Sequence, residues 1–355
     1  MVQSADCLSE IIECTLCEHS IVMNKIQCRG CGRNERKSMG YKDLKFDKDS
    51  VFLVTGGAGF IGSHLTDALL AEGHAVTVLD NLSTGTKDFL NPAAEFIEAD
   101  IRDRDALAFL RNGAFDVVYH EAAQTMVPAS IDDPYHDADE NILGLLSLLE
   151  AARRGGVRKI IFSSSAAVYG DNPALPLTEE ETPAPASFYG LTKWMTEKYL
   201  SLYRTFYGLD YTVLRYSNVY GPRQGAHGEG GVIYIFAKRL AEGKDLTVFG
   251  DGGQTRDFIN VHDVAAANVA ALTRGSGAVC NVSTETEISL NALAADMVRL
   301  SGRSAAVVHG PARAGDIYRS CLSNGRARAL LGWVPRIPLA DGLAETIAFF
   351  AAQHQ

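Results

Sequence analysis

Tyr189 and Lys193 are the residues of this chain whose types and spacing best suit chemistry. They stand four positions apart, so on a helix the phenol and the ammonium share one face. A nearby cation favours the ionised phenol. A free tyrosine titrates near pH ~10, so a phenolate that removes protons at neutral pH needs a pKa about 3 lower, roughly 4 kcal/mol. Alone, this spacing usually marks a solvated helix face. Here it follows three serines, Ser163 to Ser165, and a glycine-rich turn further upstream.

That turn, GGAGFIG at Gly56 to Gly62, lies between an apolar run, Val51 to Thr55, and a segment with helical spacing, Phe60 to Glu72. In that context glycines permit a tight turn and let the backbone approach a pyrophosphate, whose charge the helix N-terminus receives. Asp80 ends the next apolar run, where a carboxylate accepts from both ribose hydroxyls of an adenosine and repels a 2′-phosphate. The pattern predicts NAD rather than NADP, with Asp100 placed to pair with the adenine amine. A glycine-rich turn that binds no ligand is the alternative.

The N-terminal segment has a cysteine pattern of its own, because five of the seven cysteines lie within the first 31 residues. Two Cys-x-x-Cys pairs, CTLC and CRGC, are separated by ten residues and contain Cys14, Cys17, Cys28 and Cys31. Four thiolates complete a tetrahedral structural zinc site. So short a segment buries too little apolar surface to fold without a stabilising metal ion. Residues 1–40 are therefore predicted to form a small zinc ribbon with four cysteine ligands, followed by a charged linker at 41–50. A tail with incidental cysteines and an iron–sulfur or redox site are the alternatives.

Composition and charge restrict the partners. The chain has 355 residues, 46% of them hydrophobic, which is enough for a large core and for two or three structural units. A net charge of −10 argues against a nucleic acid or an anionic membrane surface as a partner. Arginines and backbone amides can still receive an anionic substrate. The sequence shows no secretory signal and no apolar stretch of membrane-spanning length, so we expect a cytoplasmic protein.

From Val51 onward, short apolar runs alternate with segments of helical spacing. The further runs with strand character are Ala75 to Asp80, Glu95 to Asp100, Asp116 to His120 and Lys159 to Ser165. This alternation predicts an α/β fold with a doubly wound parallel sheet, the Rossmann arrangement, over a dinucleotide-binding domain at 51–215. Residues 216–355 would form a smaller, mainly substrate-binding domain interleaved with it. Their glycine-rich loops at 221–231 and 250–253 are typical of binding loops.

Eight motifs in order connect the chain from Val51 to the C-terminus with a known family. They are TGGAGFIG (55–62), DNLSTG (80–85), HEAA (120–123), FSSSAAVYG (162–170), YGLTK (189–193), RYSNVYGPRQ (215–224), RDF (256–258) and RAGD (313–316). With these motifs the chain resembles the extended short-chain dehydrogenase/reductases, and among them the UDP-glucose (UDP-galactose) 4-epimerases. The first fifty residues fall outside the resemblance.

The resemblance implies roles for individual residues. Ser165 would hydrogen-bond the sugar C4 oxygen, Tyr189 would be the acid and base, and Lys193 would bind the nicotinamide ribose and acidify Tyr189. Tightly bound NAD would also contact the turn and the strand ends, at Gly56, Gly59, Phe60, Ile61, Gly62, Asp80, Asn81, Asp100, Ile101, Ala122, Ala123, Gln124, Asn141 and Tyr216. The UDP-sugar would be bound by Ser165, Tyr189, Asn218, Arg256, Arg313, Asp316 and Ser320. Each of these arginines, taken alone, would more often be a surface charge.

The implied reaction is C4 epimerisation of a UDP-hexose through a transient 4-keto sugar, without net redox change. Lys193 and the oxidised nicotinamide ring together would lower the pKa of Tyr189, which removes the C4 hydroxyl proton while the C4 hydride passes to NAD. Related 4,6-dehydratases and UDP-glucuronate decarboxylases usually carry an acid after the catalytic hydroxyl, which a dehydratase needs to expel a hydroxyl group. Here that stretch is Ala166, Ala167 and Val168. Its lack of an acid favours simple epimerisation.

The identity of the sugar depends on fewer residues. Ser320 falls at the family's sugar-pocket gate, and its small side chain leaves room for an N-acetyl group at C2. We therefore expect UDP-N-acetylglucosamine to be accepted as well as UDP-glucose. UDP-glucuronate, or another nucleotide-sugar epimerase or dehydratase reaction, stays an alternative. Arg223 and His227 lie in the loop that would meet a C6 carboxylate, although both are more readily explained as solvated loop residues.

The family usually dimerises through two helices per subunit packed as a four-helix bundle, here the segments around 137–154 and 189–207. Leu143, Leu146, Leu149 and Leu200 are candidate contacts, with core packing as the alternative. The N-terminal segment, which lies outside the family resemblance, suggests a second hypothesis that does not involve catalysis. The protein would then be a catalytically idle NAD-binding scaffold that recruits a partner protein through its zinc ribbon. The complete set of catalytic residues argues against it. An epimerase docked to a partner through the ribbon is the intermediate hypothesis.

Overall fold

The computed structural model describes residues 46, 50–112, 115–225, 230–312 and 317–354. Strands are numbered in chain order: β1 Val51–Thr55, β2 Ala75–Asp80, β3 Glu95–Glu98, β4 Val117–His120, β5 Lys159–Ser165, β6 Asp210–Tyr216, β7 Asn218–Tyr220, β8 Leu246–Phe249, β9 Thr255–Arg256, β10 Phe258–Asn260, β11 Ala278–Val282, β12 Ile288–Ser289, β13 Val307–Gly310 and β14 Arg319–Ser320.

The helices alternate with these strands through most of the chain. They are α1 Phe60–Ala71, α2 Val127–Asp132, α3 Pro134–Ala138, α4 Leu145–Gly155, α5 Phe188–Tyr207, α6 Val232–Ala241, α7 Val261–Ala271, α8 Leu290–Ser301, α9 Gly325–Leu331 and α10 Leu339–Ala352. Short 3-10 turns occur at Lys87–Phe89, Ala106–Asn112 and Ala166–Tyr169, and a π-helical turn, Asp139–Gly144, joins α3 to α4.

The centre of the fold is a seven-stranded sheet in the order β11-β6-β5-β4-β1-β2-β3, with every neighbouring pair parallel. Apolar residues are buried on both faces of its central strands. Phe52 and Val54 of β1 join one core cluster, while Leu53 between them joins another. A parallel sheet covered by helices on both sides needs such nearly continuous apolar strands. The Rossmann prediction is therefore confirmed for this part of the chain.

The carboxyl ends of the strands meet along one edge of the sheet because the strands are parallel. Thr55 lies opposite His120 in the register of β1 and β4, and Ser165 lies opposite Tyr216 in that of β5 and β6. This edge collects the residues that the motifs single out. In open α/β sheets, ligands bind in the crevice at this edge.

Helix α5 begins at Phe188 because Ser187 caps it: the Ser187 hydroxyl accepts the backbone N–H of Gly190 at 3.1 Å. Tyr189 therefore lies in the first turn, next to the end of β5. The helix ends at Gly208, which adopts the left-handed conformation with φ of 72°. The cap thus decides where along the sheet edge the phenol lies.

The chain after β6 forms three small sheets in addition to the large one. Strand β11 also follows β6 in the sequence, but it belongs to the large sheet, where it is the edge strand next to β6. Strands β10 and β7 form a parallel pair, β8 and β13 another, and β9 pairs with β12 and β14. Helices α6, α8 and α10 enclose a further core that includes Phe236 and Leu293. Within the described ranges, no helix combines the length and apolar character required to cross a membrane.

Candidate active site

A cleft of about 520 Å³ opens at the carboxyl edge of the sheet. Residues as far apart in sequence as Gly56 and Asn218 share this one groove. Gln124, Asn141 and Lys193 lie outside its lining and are considered below. Most of the other predicted cofactor and substrate residues line it: Gly56, Gly59, Phe60, Ile61, Gly62, Asp80, Asn81, Asp100, Ile101, Ala122, Ala123, Ser165, Tyr189, Tyr216 and Asn218.

The glycine turn fits a pyrophosphate. Gly56 has φ of +71°, and a Cβ on it would lie 2.6 Å from the backbone nitrogen of Ala122. A Cβ on Gly62 would lie 2.2 Å from the carbonyl oxygen of Gly56, so the turn closes only with glycine at both positions. Helix α1 begins after Gly59, and no side chain of the described residues caps it. Its first N–H groups can therefore receive an anion.

Asp80, the residue predicted to bind a ribose, connects the glycine turn with the segment that follows β2. One carboxylate oxygen accepts the N–H of Ala58 at 3.0 Å and the other accepts the N–H of Leu82 at 2.8 Å. Each carboxylate oxygen has about two lone pairs, so Asp80 retains acceptor capacity for further donors, which its predicted role at a ribose requires. This placement agrees with the predicted preference for NAD.

At the predicted adenine end, Asp100 and Asn81 belong to a charged cluster whose arginine, Arg102, was not among the residues predicted from the sequence. Arg102 lines the cleft and forms a two-point ion pair with Asp100, at 2.9 and 2.7 Å, while Asn81 donates to the same carboxylate at 2.8 Å. The Arg102 hydrogen bonds hold the pKa of Asp100 well below its usual range. Asp100 therefore stays ionised and can accept from an adenine amine. No sequence signal distinguished Arg102 from a surface arginine.

Ser165 and Tyr189 line the cleft, and the buried Lys193 lies close to Tyr189. Ser165 ends β5 and forms a side-chain hydrogen bond with Tyr189. Lys193 lies one turn further along α5, and its Nζ donates to the carbonyl oxygen of Ser163 at 2.9 Å. That nitrogen is 5.8 Å from the centroid of the Tyr189 ring. The three predicted catalytic residues are thus brought together by one strand end and one helix.

Burial dominates the electrostatics of this group. Burial, together with the charge of Asp137, raises the pKa of Tyr189 to about 12, while the Ser165 hydrogen bond opposes the shift. Burial also lowers the pKa of Lys193 to about 8, against the attraction of Glu121 and Asp137. The protein groups by themselves therefore hold Tyr189 neutral and Lys193 mostly charged at pH 7. A phenolate at neutral pH would therefore need further positive charge close to Tyr189.

Gln124 and Asn141 belong to a buried network centred on Asp137. The Asp137 carboxylate accepts from Gln124 at 2.7 Å, from Asn141 at 3.2 Å and from the Thr192 hydroxyl at 3.0 Å. Asn141 lies in the π-helical turn, a local rearrangement that is frequent at functional sites. The network fastens the first turns of α5, which carry Tyr189 and Lys193, to the π-helical turn, and the contact of Gln124 and Asn141 with NAD stays a prediction.

A second buried network holds the next turn of α5. Glu197 forms a two-point ion pair with Arg215 of β6, at 2.9 and 2.6 Å, and accepts the Ser164 hydroxyl at 2.7 Å. Arg215 also donates to the Tyr169 hydroxyl at 2.8 Å, which donates in turn to Asn281 at 2.7 Å. Removing one partner of such a pair would leave a buried charge uncompensated. Arg215 stands in one of the sequence motifs, but the motif alone gave it no role.

The predicted substrate residues divide between two places. Asn218 lines the cleft, whereas Arg256 and Ser320 lie opposite each other in the register of β9 and β14, outside the cleft lining. Arg256 donates to the carbonyl oxygen of Thr255 at 2.8 Å. The buried carboxylate of Asp257, which accepts the N–H and hydroxyl of Thr284 at 3.0 and 2.7 Å, fixes this small sheet against the loop that follows β11.

Several predicted residues lie outside the described part of the chain. They are Arg313, Asp316 and His227, and the four cysteines predicted to bind zinc, Cys14, Cys17, Cys28 and Cys31. Among the residues that the structure does describe, no group of three or more His, Cys, Asp or Glu side chains is placed to hold a metal ion. The zinc ribbon at 1–40 therefore stays a prediction.

Comparisons with known proteins identify the family of the chain. The sequence profile of the NAD dependent epimerase/dehydratase family matches residues 52–283. The UDP-glucose 4-epimerase of Mycolicibacterium smegmatis is 45% identical over 310 residues, which cover 85% of this chain and 99% of that protein.

Two solved structures share the fold. A UDP-glucose 4-epimerase from Thermotoga maritima, solved with UDP-glucose, superposes with a TM-score of 0.84 at 42% identity, covering 86% of this chain and 100% of that one. A UDP-glucose 4-epimerase from Thermus thermophilus, solved with NAD, gives a TM-score of 0.80 at 40% identity, covering 84% and 98%. By sequence and by fold, the chain belongs to the NAD dependent epimerase/dehydratase family.

Proposed function

We propose that this protein is an NAD-dependent UDP-hexose 4-epimerase that interconverts UDP-glucose and UDP-galactose. The observation that carries the proposal is the contact of Ser165 with Tyr189, beside Lys193, in the cleft that also contains the glycine turn. A proton-transferring phenol and a dinucleotide site in one groove suit oxidation and reduction at a carbon that bears a hydroxyl group. The names of the similar proteins add support for the substrate.

In this reaction the residues of the chain position the sugar and move one proton. Ser165 holds the C4 oxygen, and the Tyr189 oxygen takes the C4 hydroxyl proton and later returns it. Bound NAD would supply the redox chemistry, as the acceptor and donor of the C4 hydride. Asn218 and Arg256, with the predicted Arg313 and Asp316, would hold the UDP group as a fixed handle while the sugar turns.

Tyr189→Phe tests this function. The variant removes the proton-transferring oxygen and keeps the ring, so we expect turnover of UDP-glucose to fall by about 10²–10⁴-fold, the range for loss of a general acid–base group. Bound NAD, measured after acid release, should stay at the wild-type level. Tyr207→Phe at the exposed end of the same helix is the control and should keep full turnover. Full turnover by Tyr189→Phe would refute the acid–base role, and an inactive wild-type protein with bound NAD would favour the scaffold hypothesis.

We also propose that the enzyme accepts UDP-N-acetylglucosamine. Ser320 is a small, half-buried residue on β14, and its neighbour in the register is Arg256, which is expected to bind diphosphate. The UDP-glucuronate alternative gains nothing from Arg223, because its guanidinium lies 2.8 Å from the Asp67 carboxylate and is thus already neutralised.

Ser320→Tyr tests whether the side chain at position 320 limits the size of the sugar that the pocket accepts. A tyrosine would fill the space beside C2, so we expect kcat/KM for UDP-N-acetylglucosamine to fall at least about tenfold relative to that for UDP-glucose, in line with the cost of overpacking. Ser320→Ala, which keeps the space, should leave this ratio unchanged. A wild-type ratio in Ser320→Tyr would show that Ser320 does not line the sugar pocket.

A homodimer is part of the proposal, with a different contact set from the one first considered. Leu149 and Leu200 are fully buried core residues and are therefore not available to a partner, whereas Leu146 is partly buried against the same core. Exposed apolar residues lie instead on α5 and the π-helical turn: Leu143, Leu191, Met195, Leu202 and Phe206, with Phe206 71% exposed. Residues 191, 195, 202 and 206 share one helix face, which is the kind of apolar stripe that a partner helix covers.

Phe206→Glu should dissociate this dimer because it places a charge in the apolar stripe. We expect the mass measured by sedimentation equilibrium to halve at micromolar concentration. Leu330→Glu, an equally drastic change at an exposed position on α9, serves as the control and should leave the mass unchanged. A Phe206→Glu protein with the wild-type mass would place the interface elsewhere.

For the N-terminal segment, we propose one structural zinc ion held by the two Cys-x-x-Cys pairs, with the ribbon serving to dock a partner protein. Elemental analysis of the full chain should give one zinc per chain, and Cys14→Ser with Cys17→Ser should abolish it. The buried Cys280, far away in the sequence, is the control, and Cys280→Ser should retain the metal. Iron in place of zinc, or no metal, would overturn the zinc assignment.

A further inference from the structure

Glu121 is a carboxylate in the cleft to which the proposed reaction gives no role. It follows β4 directly and lines the groove, with its backbone N–H bound to the carbonyl oxygen of Thr55 at 3.1 Å. Its side chain forms a hydrogen bond with Ser163. The oxygen Oε1 is buried and has no hydrogen-bond partner among the described residues. A buried carboxylate oxygen without a partner is costly and calls for an explanation.

The hydrogen bond between Ser163 and Glu121 is the last in a series of hydrogen bonds whose donors all point the same way. Asn268 donates to the Tyr216 hydroxyl at 2.7 Å, and Tyr216 lies 2.8 Å from the Ser163 hydroxyl. Each hydroxyl has a single hydrogen. If Ser163 donates to the carboxylate of Glu121, then Tyr216 must donate to Ser163. The series therefore delivers its hydrogens toward Glu121 and favours the ionised carboxylate.

Ser163 also connects Glu121 with Lys193. Its carbonyl oxygen accepts from the lysine Nζ, while its hydroxyl serves Glu121. The carboxylates that attract the buried ammonium are Glu121 and Asp137. Asp137 accepts hydrogen bonds from three side chains, Gln124, Asn141 and Thr192, which spread its charge. The Glu121 carboxylate keeps Oε1 bare among the described residues, so more of its charge remains to act on Lys193.

We propose that Glu121 is a positioning residue of this site, whose carboxylate ends the hydrogen-bond chain from β6 and supplies the negative charge that keeps Lys193 protonated. The inference rests on the proposed function only where it concerns turnover. Lys193 must be charged to help Tyr189 ionise, so Glu121 would act on the reaction through Lys193 and Tyr189, without touching the reacting carbon.

The groups around Glu121 give the proposal a pH dependence. Burial raises the pKa of Glu121 to about 7, and burial lowers that of Lys193 to about 8. The other facing groups are His120, which burial holds neutral, Asp137, and the phenols Tyr189 and Tyr216, whose pKa values are raised. Above about pH 7 Glu121 carries its charge and supports Lys193. As the pH falls through that value, the carboxylate protonates and the support is lost, although Lys193 is by then mostly charged.

The test compares wild-type holoenzyme with Glu121→Gln, which keeps the shape and an acceptor for Ser163 but removes the charge. Lysine labelled with nitrogen-15 at Nζ is titrated by NMR, and the Lys193 signal is assigned with Lys193→Arg. We expect the Lys193 midpoint to fall by about one pH unit, the lower end of the effect of a nearby opposite charge. The alkaline limb of kcat/KM should follow it, giving an approximately tenfold loss at about pH 9.

Glu95→Gln is the matched control, because Glu95 also accepts a hydroxyl, that of Thr77 at 3.5 Å, but lies on the outer strand β3 away from the cleft. It should change neither the Lys193 midpoint nor the pH profile. If Glu121→Gln fails to fold, Ser163→Ala replaces it: this variant removes the hydroxyl that favours ionised Glu121, and the Lys193 midpoint should again fall.

Two results would overturn the proposal. An identical Lys193 midpoint in wild type and Glu121→Gln would show that the carboxylate does not support the ammonium. A lowered midpoint without movement of the alkaline limb would show that the charge has no part in positioning for the reaction. A wild-type protein that epimerises no UDP-hexose would refute the proposed function instead, and the NMR titration would still decide the effect of Glu121 on Lys193.

Discussion

The burial of a lysine ammonium between β5 and α5 is the constraint on which the site depends. Lys193 is 4% exposed, and a charge in such a place is tolerated only with hydrogen bonds and opposite charge around it. The Ser163 carbonyl oxygen supplies the hydrogen bond, and Glu121 and Asp137 supply the charge. Because Tyr189 lies one turn earlier on α5, whatever fixes Lys193 against β5 also fixes the phenol against Ser165.

Two buried hydrogen-bond networks hold α5 in place against β5. The Asp137 network holds the beginning of α5, and the Glu197–Arg215 pair holds its next turns. Each of the serines at the end of β5 takes a different part. Ser163 forms hydrogen bonds with Lys193 and Glu121, Ser164 with Glu197, and Ser165 with Tyr189. A single strand end thus connects the acid–base group with both networks, which leaves the phenol little freedom to turn away from the cleft.

The proposed substrate end is built differently. Arg256 and Ser320 lie on a small sheet of two-residue strands, which Asp257 fastens to a neighbouring loop. The predicted cofactor residues thus lie along the large parallel sheet, whereas Arg256 and Ser320 lie on short strands outside it. In the proposed reaction the sugar must turn while its UDP handle stays in place, and a substrate region of this kind is compatible with that requirement.

The parallel sheet and the place of the glycine turn could be predicted from the sequence alone, because apolar strands and turn glycines are local signals. Ser165, Tyr189 and Lys193 could also be assigned to one site, with the family motifs as the guide. The parts played by Arg102, Asp137 and Glu121 could not, because a charged residue in a sequence looks the same whether it is solvated or buried. For the same reason Leu149 and Leu200 were counted among the candidate dimer contacts, although they lie in the core.

What the sequence determined by itself was the set of chemical groups and the order of the elements that carry them. Only the tertiary structure decided which charges are buried, which oxygen of Glu121 has no partner among the described residues and which face of α5 is exposed. The physical reason is that burial and hydrogen bonding depend on residues distant in sequence: Glu121, Ser163 and Lys193 come from three separate elements. Their mutual effect on protonation exists only once the sheet has formed.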